Sequence, residues 1–154
     1  MVTRSNQGVT KRQLRQVFGM ALALAAGIFL FHTGVLFEVA DQLIAAKAWL
    51  DVNYGHATAG RALILISFFA LFITHFVEAS AWGLFLWRKG LTTTFTEGVY
   101  FSAASITSLG YGDVVLPPPW RMLGPLVAIS GTLMFGCSTA FLFLILQKAW
   151  VQQL

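Results

Sequence analysis

The stretch Thr107-Ser108-Leu109-Gly110-Tyr111-Gly112-Asp113 constrains this chain more than any other, because of its setting. Long apolar runs flank it, and two glycines separated by a tyrosine interrupt any helical pattern between them. Irregular backbone at membrane depth is tolerated only where it is buried in protein or lines a water-filled path. Glycine reaches conformations that other residues avoid, so alternating glycines let successive carbonyls point the same way. A ring of such carbonyls, one strand per subunit, can replace the water shell of a dehydrated cation. The stretch therefore implies a loop that lines an ion path.

Composition places that loop in a membrane. Hydrophobic residues make up 57% of the chain, charged residues only 10%, and mean hydropathy is +0.74, which excludes an ordinary soluble domain. The 154 residues suffice for one membrane domain and no sizeable soluble module. With a net charge of +4, the basic residues are expected to set topology or to touch anionic lipid, not nucleic acid. The single cysteine, Cys137, lies in an apolar run and reads as a small buried residue, so no disulfide framework is expected. No nucleophile with a paired base, no metal-spaced ligand cluster and no phosphate loop joined to a strand is evident. Neither an enzyme nor a cofactor is expected.

Taken in order, residues 1–16 are polar and basic, with Arg4, Lys11, Arg12 and Arg15. The apolar run 17–37 is longer than a usual signal-peptide core and lacks a convincing cleavage site, so it reads as a first membrane helix. Residues 38–61 are more polar and predict a solvated connector with a short interfacial amphipathic helix around Leu43, Ile44, Trp49 and Leu50. Residues 62–87 form a second span, ending at the expected interfacial anchors Trp82 and Trp87 and the basic pair Arg88-Lys89. This span carries His75 and Glu78, three apart and hence on one helix face. Ionisable groups at such depth are functional candidates; the alternative is that they satisfy each other or a neighbouring helix. Residues 97–106 are too few to span and fit a re-entrant half-helix, with Thr94 or Thr96 as its cap and Glu97 suited to the helix dipole. Its C-terminus would turn partial negative charge towards a cation path. Pro117-Pro118-Pro119 forms a stiff return, and residues 122–146 make the third span, with Lys148 and Trp150 at its exit. The fold class expected is an all-α integral membrane protein with three transmembrane helices, a re-entrant pore helix and a filter loop.

Residues 100–143 resemble the pore domain of potassium channels, especially small bacterial members built from outer helix, pore helix, filter and inner helix. Tyr100-Phe101-Ser102 is similar to the family's aromatic start of the pore helix, and residues 107–113 to its Thr-Thr-Val-Gly-Tyr-Gly-Asp signature. Trp120-Arg121, Gly131, Phe135 and Gly136 follow at the family's spacing, with Gly131 at its proposed hinge. The resemblance implies K+ coordination by the Ser108 hydroxyl and carbonyl and by the carbonyls of Leu109, Gly110 and Tyr111. It gives Gly112 a permissive backbone role, Asp113 a bracing role at the outer end, and Thr107 a place at the inner mouth. Thr132, Phe135, Thr139 and Phe143 recur at spacings of three and four, so they line a cavity face or simply pack the inner helix. Three departures stand out. Ser108 replaces threonine and lacks the methyl that helps hold the rotamer. Leu109 replaces valine, and Ala104 stands where several members carry a carboxylate.

The resemblance also implies a homotetramer in the bacterial cell (inner) membrane, crossed several times, in contact with lipid and passing K+ passively. The pore domain would occupy 62–154, preceded by a basic tail, the extra helix and the linker over 1–61. Orientation is contested. The positive-inside rule puts the basic N-terminus, and with it the filter mouth, in the cytoplasm; the family places both outside. A hairpin or surface-lying arrangement of residues 17–37 is a third arrangement, and the family orientation is the one expected here. A weakly selective cation channel, a non-conducting regulatory protein and a proton-coupled transporter using His32, His75 and Glu78 are the rival readings. No helix carries the spaced arginines of a voltage sensor, and the few residues after the third span leave no room for a ligand-binding domain. Tension, pH at a histidine, lipid or a partner protein are the stimuli left to consider.

Overall fold

A computed structural model describes residues 10–151, and Arg4 lies outside them. The side chain of Trp150 is likewise outside what is described. The described residues form four α-helices: α1 Lys11–Tyr54, α2 His56–Arg88, α3 Phe95–Ile106 and α4 Leu123–Val151, the last entered through a short 3-10 turn at Trp120–Met122. The described residues contain no strand. Helices α1, α2 and α4 are long and apolar enough to cross a membrane, and α3 is the short re-entrant element. The protein is all-α and membrane-integral.

Helix α1 departs from expectation. It is one unbroken helix of 44 residues, about 66 Å at about 1.5 Å per residue, or roughly twice a bilayer core. The predicted connector over 38–61 is therefore helical as far as Tyr54, and α2 starts at His56 after Gly55 alone. The reason is local. Ala40, Ala45, Ala46 and Ala48 favour helix, and Lys47 pairs with Asp51 one turn later. Asp51 also meets His56 at 3.1 Å, which ties the two helices across the turn. A hairpin within residues 17–37 is ruled out.

Helix α1 runs antiparallel to α2 and parallel to α4. Thr33, Phe37 and Ala40 face Cys137, Phe141 and Leu144 in one groove, and further on Lys47 and Asp51 lie beside Lys148. The start of α1, the end of α2 and the start of α4 therefore share one end of the bundle. Lys11, Arg12, Arg15, Arg88, Lys89 and Arg121 gather there with the filter mouth, so the tension between charge and resemblance is built into the fold.

The core joins Val17, Ala21 and Ile28 of α1 to Trp82 and Leu86 of α2, Phe101 and Ile106 of α3, and Val127 and Met134 of α4. Trp82 is 0% exposed and belongs to this core, not to an interfacial anchor, while Trp87 is exposed. Position explains the difference: Trp82 stands one turn along α2 from the buried Glu78, on its inward face, and joins the core cluster. Cys137 is only half-buried. Phe68, Phe69, Phe72 and Phe76 of α2 point outward, as a lipid-facing surface would.

Helix α3 is set deep against α2, where a Cβ at Gly98 would lie 2.6 Å from the Gly83 carbonyl oxygen. Its start is fixed by Thr94, whose hydroxyl accepts from the Glu97 backbone N–H at 3.1 Å. Glu97 reaches back to accept from the Thr93 backbone and hydroxyl, both at 2.6 Å. Thr94, and not Thr96, is the cap.

Candidate functional site

The filter loop grows directly out of the way α3 ends. Ser108 takes a left-handed φ of 57°, uncommon for a residue with a Cβ. Its N–H donates to Ser105 O at 2.9 Å, and the Leu109 N–H reaches Ala104 O, also at 2.9 Å. These paired bonds close the last turn of the helix and satisfy carbonyls that would otherwise be orphaned. Gly110 and Gly112 repeat the left-handed φ, at 53° and 78°. Left-handed residues thus alternate at 108, 110 and 112, with Leu109 and Tyr111 between them. Among the described residues, no hydrogen bond ends on a carbonyl oxygen from Ser108 to Gly112. The loop's N–H groups at 108–110 turn back to the helix and leave its carbonyls unclaimed. The C-terminal end of α3 adds partial negative charge beside them.

Thr107 directs its hydroxyl to Ala103 O at 2.8 Å and so belongs to the helix end. At the outer end Asp113 accepts from the Tyr100 hydroxyl at 2.6 Å and from the Val114 N–H at 3.1 Å. Tyr100 therefore reaches from the pore helix to the residue after the filter, although Ala104 offers no carboxylate for that purpose. The Tyr100 hydrogen bond holds the Asp113 carboxyl below its ordinary range, and the same contact raises the Tyr100 hydroxyl. A depressed carboxylate contributes stability that is complete above its unfolded pKa and lost as pH falls through the lower, folded one. Tyr100→Phe should therefore move the acid limit of the intact filter to higher pH. Ion flux recorded against falling pH is the check, and an unchanged limit would remove Tyr100 from the brace.

The inner-helix residues separate into two groups. Thr132, Gly136, Thr139 and Phe143 are exposed along α4 and have no cover within one chain. Phe135 is half-buried and packs on His75 in a tilted arrangement, ring centroids 4.4 Å apart, which takes it out of that stripe. Gly131 differs from both, because a Cβ there would lie 2.6 Å from Ile106 O and 2.8 Å from Ile106 Cα. It is the point where α4 touches the end of the pore helix.

His75 and Glu78 do meet, with Nδ1 to Oε2 at 2.8 Å, but they are not alone. His32 of α1 brings its Nδ1 to the other carboxylate oxygen at 2.7 Å, and both partners are fully buried. Ser138 of α4 stands on the far side, with Oγ 3.0 Å from His75 Nε2 and 3.3 Å from His32 Nε2. Three spanning helices thus converge on one polar cluster. The part of it on α2 is visible from the i, i+3 spacing. His32 and Ser138 are distant in sequence, and their only signal there is a histidine inside an apolar run.

Three spanning helices around a re-entrant helix, ending in a loop of unclaimed carbonyls, form the architecture of an ion-conducting membrane protein. A family model described as an ion channel matches residues 61–148, more than half of the chain. The chain belongs to this ion-channel family. The match takes in α2 almost from its start, α3, the filter loop and nearly all of α4, and leaves α1 outside. No curated protein and no solved structure matches the chain.

Proposed function

We propose that the chain conducts potassium passively, through a filter built by four copies around a central axis in a cell membrane. The observation that carries this reading is the alternation of left-handed backbone at Ser108, Gly110 and Gly112, with unclaimed carbonyls between and beside them. Carbonyl ligands in series compensate a cation for its lost water, and several weak sites let it leave. Ser108 supplies its hydroxyl and carbonyl, and Leu109, Gly110 and Tyr111 their carbonyls. Gly112 allows the last turn, Asp113 with Tyr100 braces it, and Thr107 stands at the inner mouth. One strand cannot encircle an ion. The Leu109 and Tyr111 side chains, 55% and 68% exposed in the single chain, support further copies as their cover.

Potassium uptake into liposomes holding the purified protein tests the filter. Gly110→Ala puts a Cβ on a backbone at φ 53°; left-handed geometry costs an L-residue roughly 1–2 kcal/mol in each copy. The substitution is expected to abolish uptake while leaving the helical content unchanged. Uptake equal to that of the unsubstituted protein would show that ions do not pass along this loop.

A further inference from the structure

We propose that His32, His75 and Glu78 form a binding site for a divalent transition-metal ion of the zinc, cobalt or nickel type. One donor atom from each of the three lies within 4.8 Å of the other two. A metal about 2.1 Å from nitrogen and oxygen donors holds them roughly 3.4 Å apart in a tetrahedral arrangement. Binding would open the Nδ1–carboxylate contacts, now 2.7 and 2.8 Å, by about 0.7 Å and bring any wider pair of donors inward, through rotation of two imidazoles and a carboxylate. Two imidazoles with one carboxylate favour such ions over magnesium or calcium, which prefer oxygen donors.

The proton count of the cluster leaves room for a metal. An ionised carboxylate only accepts, so hydrogen bonds at 2.7 and 2.8 Å require a hydrogen on Nδ1 of both histidines. Both Nε2 atoms then face Ser138 Oγ as bare acceptors. The hydroxyl has one hydrogen, so it matches one of them, and the other stays unmatched unless the cluster takes up an extra proton. A metal on the Nδ1 side gives both imidazoles a partner at each ring nitrogen. Each imidazole then carries its hydrogen on Nε2, and the two lone pairs of Ser138 Oγ accept both, at 3.0 and 3.3 Å. A metal-bound histidine commonly donates its other N–H to such an oxygen, which fixes the ring. The His32 and His75 rings are already stacked, centroids 5.3 Å apart. Entry is by way of His75, whose side chain is 16% exposed against 0% for Glu78.

The consequence lies in which helices are joined. His32 belongs to α1, outside the family match, whereas His75, Glu78 and Ser138 lie within it. A bound ion would clamp the extra helix to the outer helix, with the inner helix held through Ser138. The inference does not depend on which ion the filter passes.

Tag-free full-length protein, stripped with chelator and equilibrated with zinc or cobalt, is the test. One metal per chain is expected by elemental analysis, with no competition from excess magnesium. The zinc X-ray absorption spectrum should show two imidazoles, and cobalt should give visible bands of low coordination number. His32→Gln should abolish stoichiometric binding. Ser138→Ala should retain it, with affinity lower by roughly 10- to 100-fold. His56→Gln, at the exposed histidine beside Asp51, should change nothing. The absorption spectrum reads the unsubstituted protein, so it decides the matter even if a variant fails to fold. No stoichiometric metal, a spectrum without imidazole, or binding lost with His56 instead of His32 would overturn the proposal. The cluster would then be held by protons alone.

Discussion

Gly131→Ala is expected to be among the most damaging single-methyl changes in the chain, and Gly136→Ala, five residues on, to be harmless. At Gly131 the added carbon would sit 2.6 Å from the carbonyl oxygen of Ile106, with the Ile106 Cα at 2.8 Å. Both are backbone atoms in the last turn of the pore helix, so no side chain can rotate away. Either α4 moves outward or the pore helix shifts, and the filter starts two residues after Ile106. Overpacking of this kind costs about 1–3 kcal/mol, and α4 forfeits its closest approach to α3. At Gly136 nothing lies within 4 Å of the added carbon. Alanine there gains up to about 1 kcal/mol of helix propensity. Thermal unfolding in detergent should separate the two variants by roughly 5–10 °C, at about 2–4 °C per kcal/mol for a chain of this size. Equal midpoints would show that Gly131 serves as a hinge and not as a contact.

Glu78→Ala should be the other large effect. The carboxylate is fully buried and accepts from an imidazole of α1 and one of α2. Removing it leaves His32, itself 0% exposed, with an unmatched ring nitrogen in the middle of the bundle. Leaving two buried imidazole donors unpaired costs about 1–3 kcal/mol each. The melting point should fall by about 10 °C, and α1 should become accessible to protease first, because His32 is its central polar tie. Glu78→Gln should be milder, since an amide oxygen still accepts from one imidazole. A Glu78→Ala protein that melts with the unsubstituted one would show that apolar packing alone holds α1 in place.

Much of this architecture is legible in the residues, because the relevant signals are local. Gly110-Tyr111-Gly112 marks irregular backbone, Thr94 or Thr96 followed by Glu97 marks a helix start, and the apolar runs mark spans. The pore helix and the three crossing helices follow from those features, and the choice of Thr94 over Thr96 as the cap comes from the structure. What depends on distant contacts is hidden. Trp82 looks like an interfacial residue by its place in the run, and only the packing of the other helices buries it. Tyr100 reads as an aromatic helix start, and its hydroxyl finds Asp113 only after the chain has turned through the filter. The link from His32 to Glu78 joins helices whose relative rotation no periodicity fixes. The region 38–54 misleads for a different reason. Its charges suggest a loop, but alanines and a Lys47–Asp51 pair sustain a helix beyond the hydrocarbon. The direction of insertion is not a property of the bundle's internal contacts, which are the same whichever face meets the cytoplasm.

The most direct measurement of the central claim is the reversal potential of purified protein in a planar bilayer, with potassium on one side and sodium on the other. A potential set by the potassium gradient, lost together with the current in Gly110→Ala, is the expected result. A current that reverses near zero would retain the pore and contradict potassium selection at Ser108 to Tyr111. Absence of any current across pH, tension and lipid composition would contradict conduction itself.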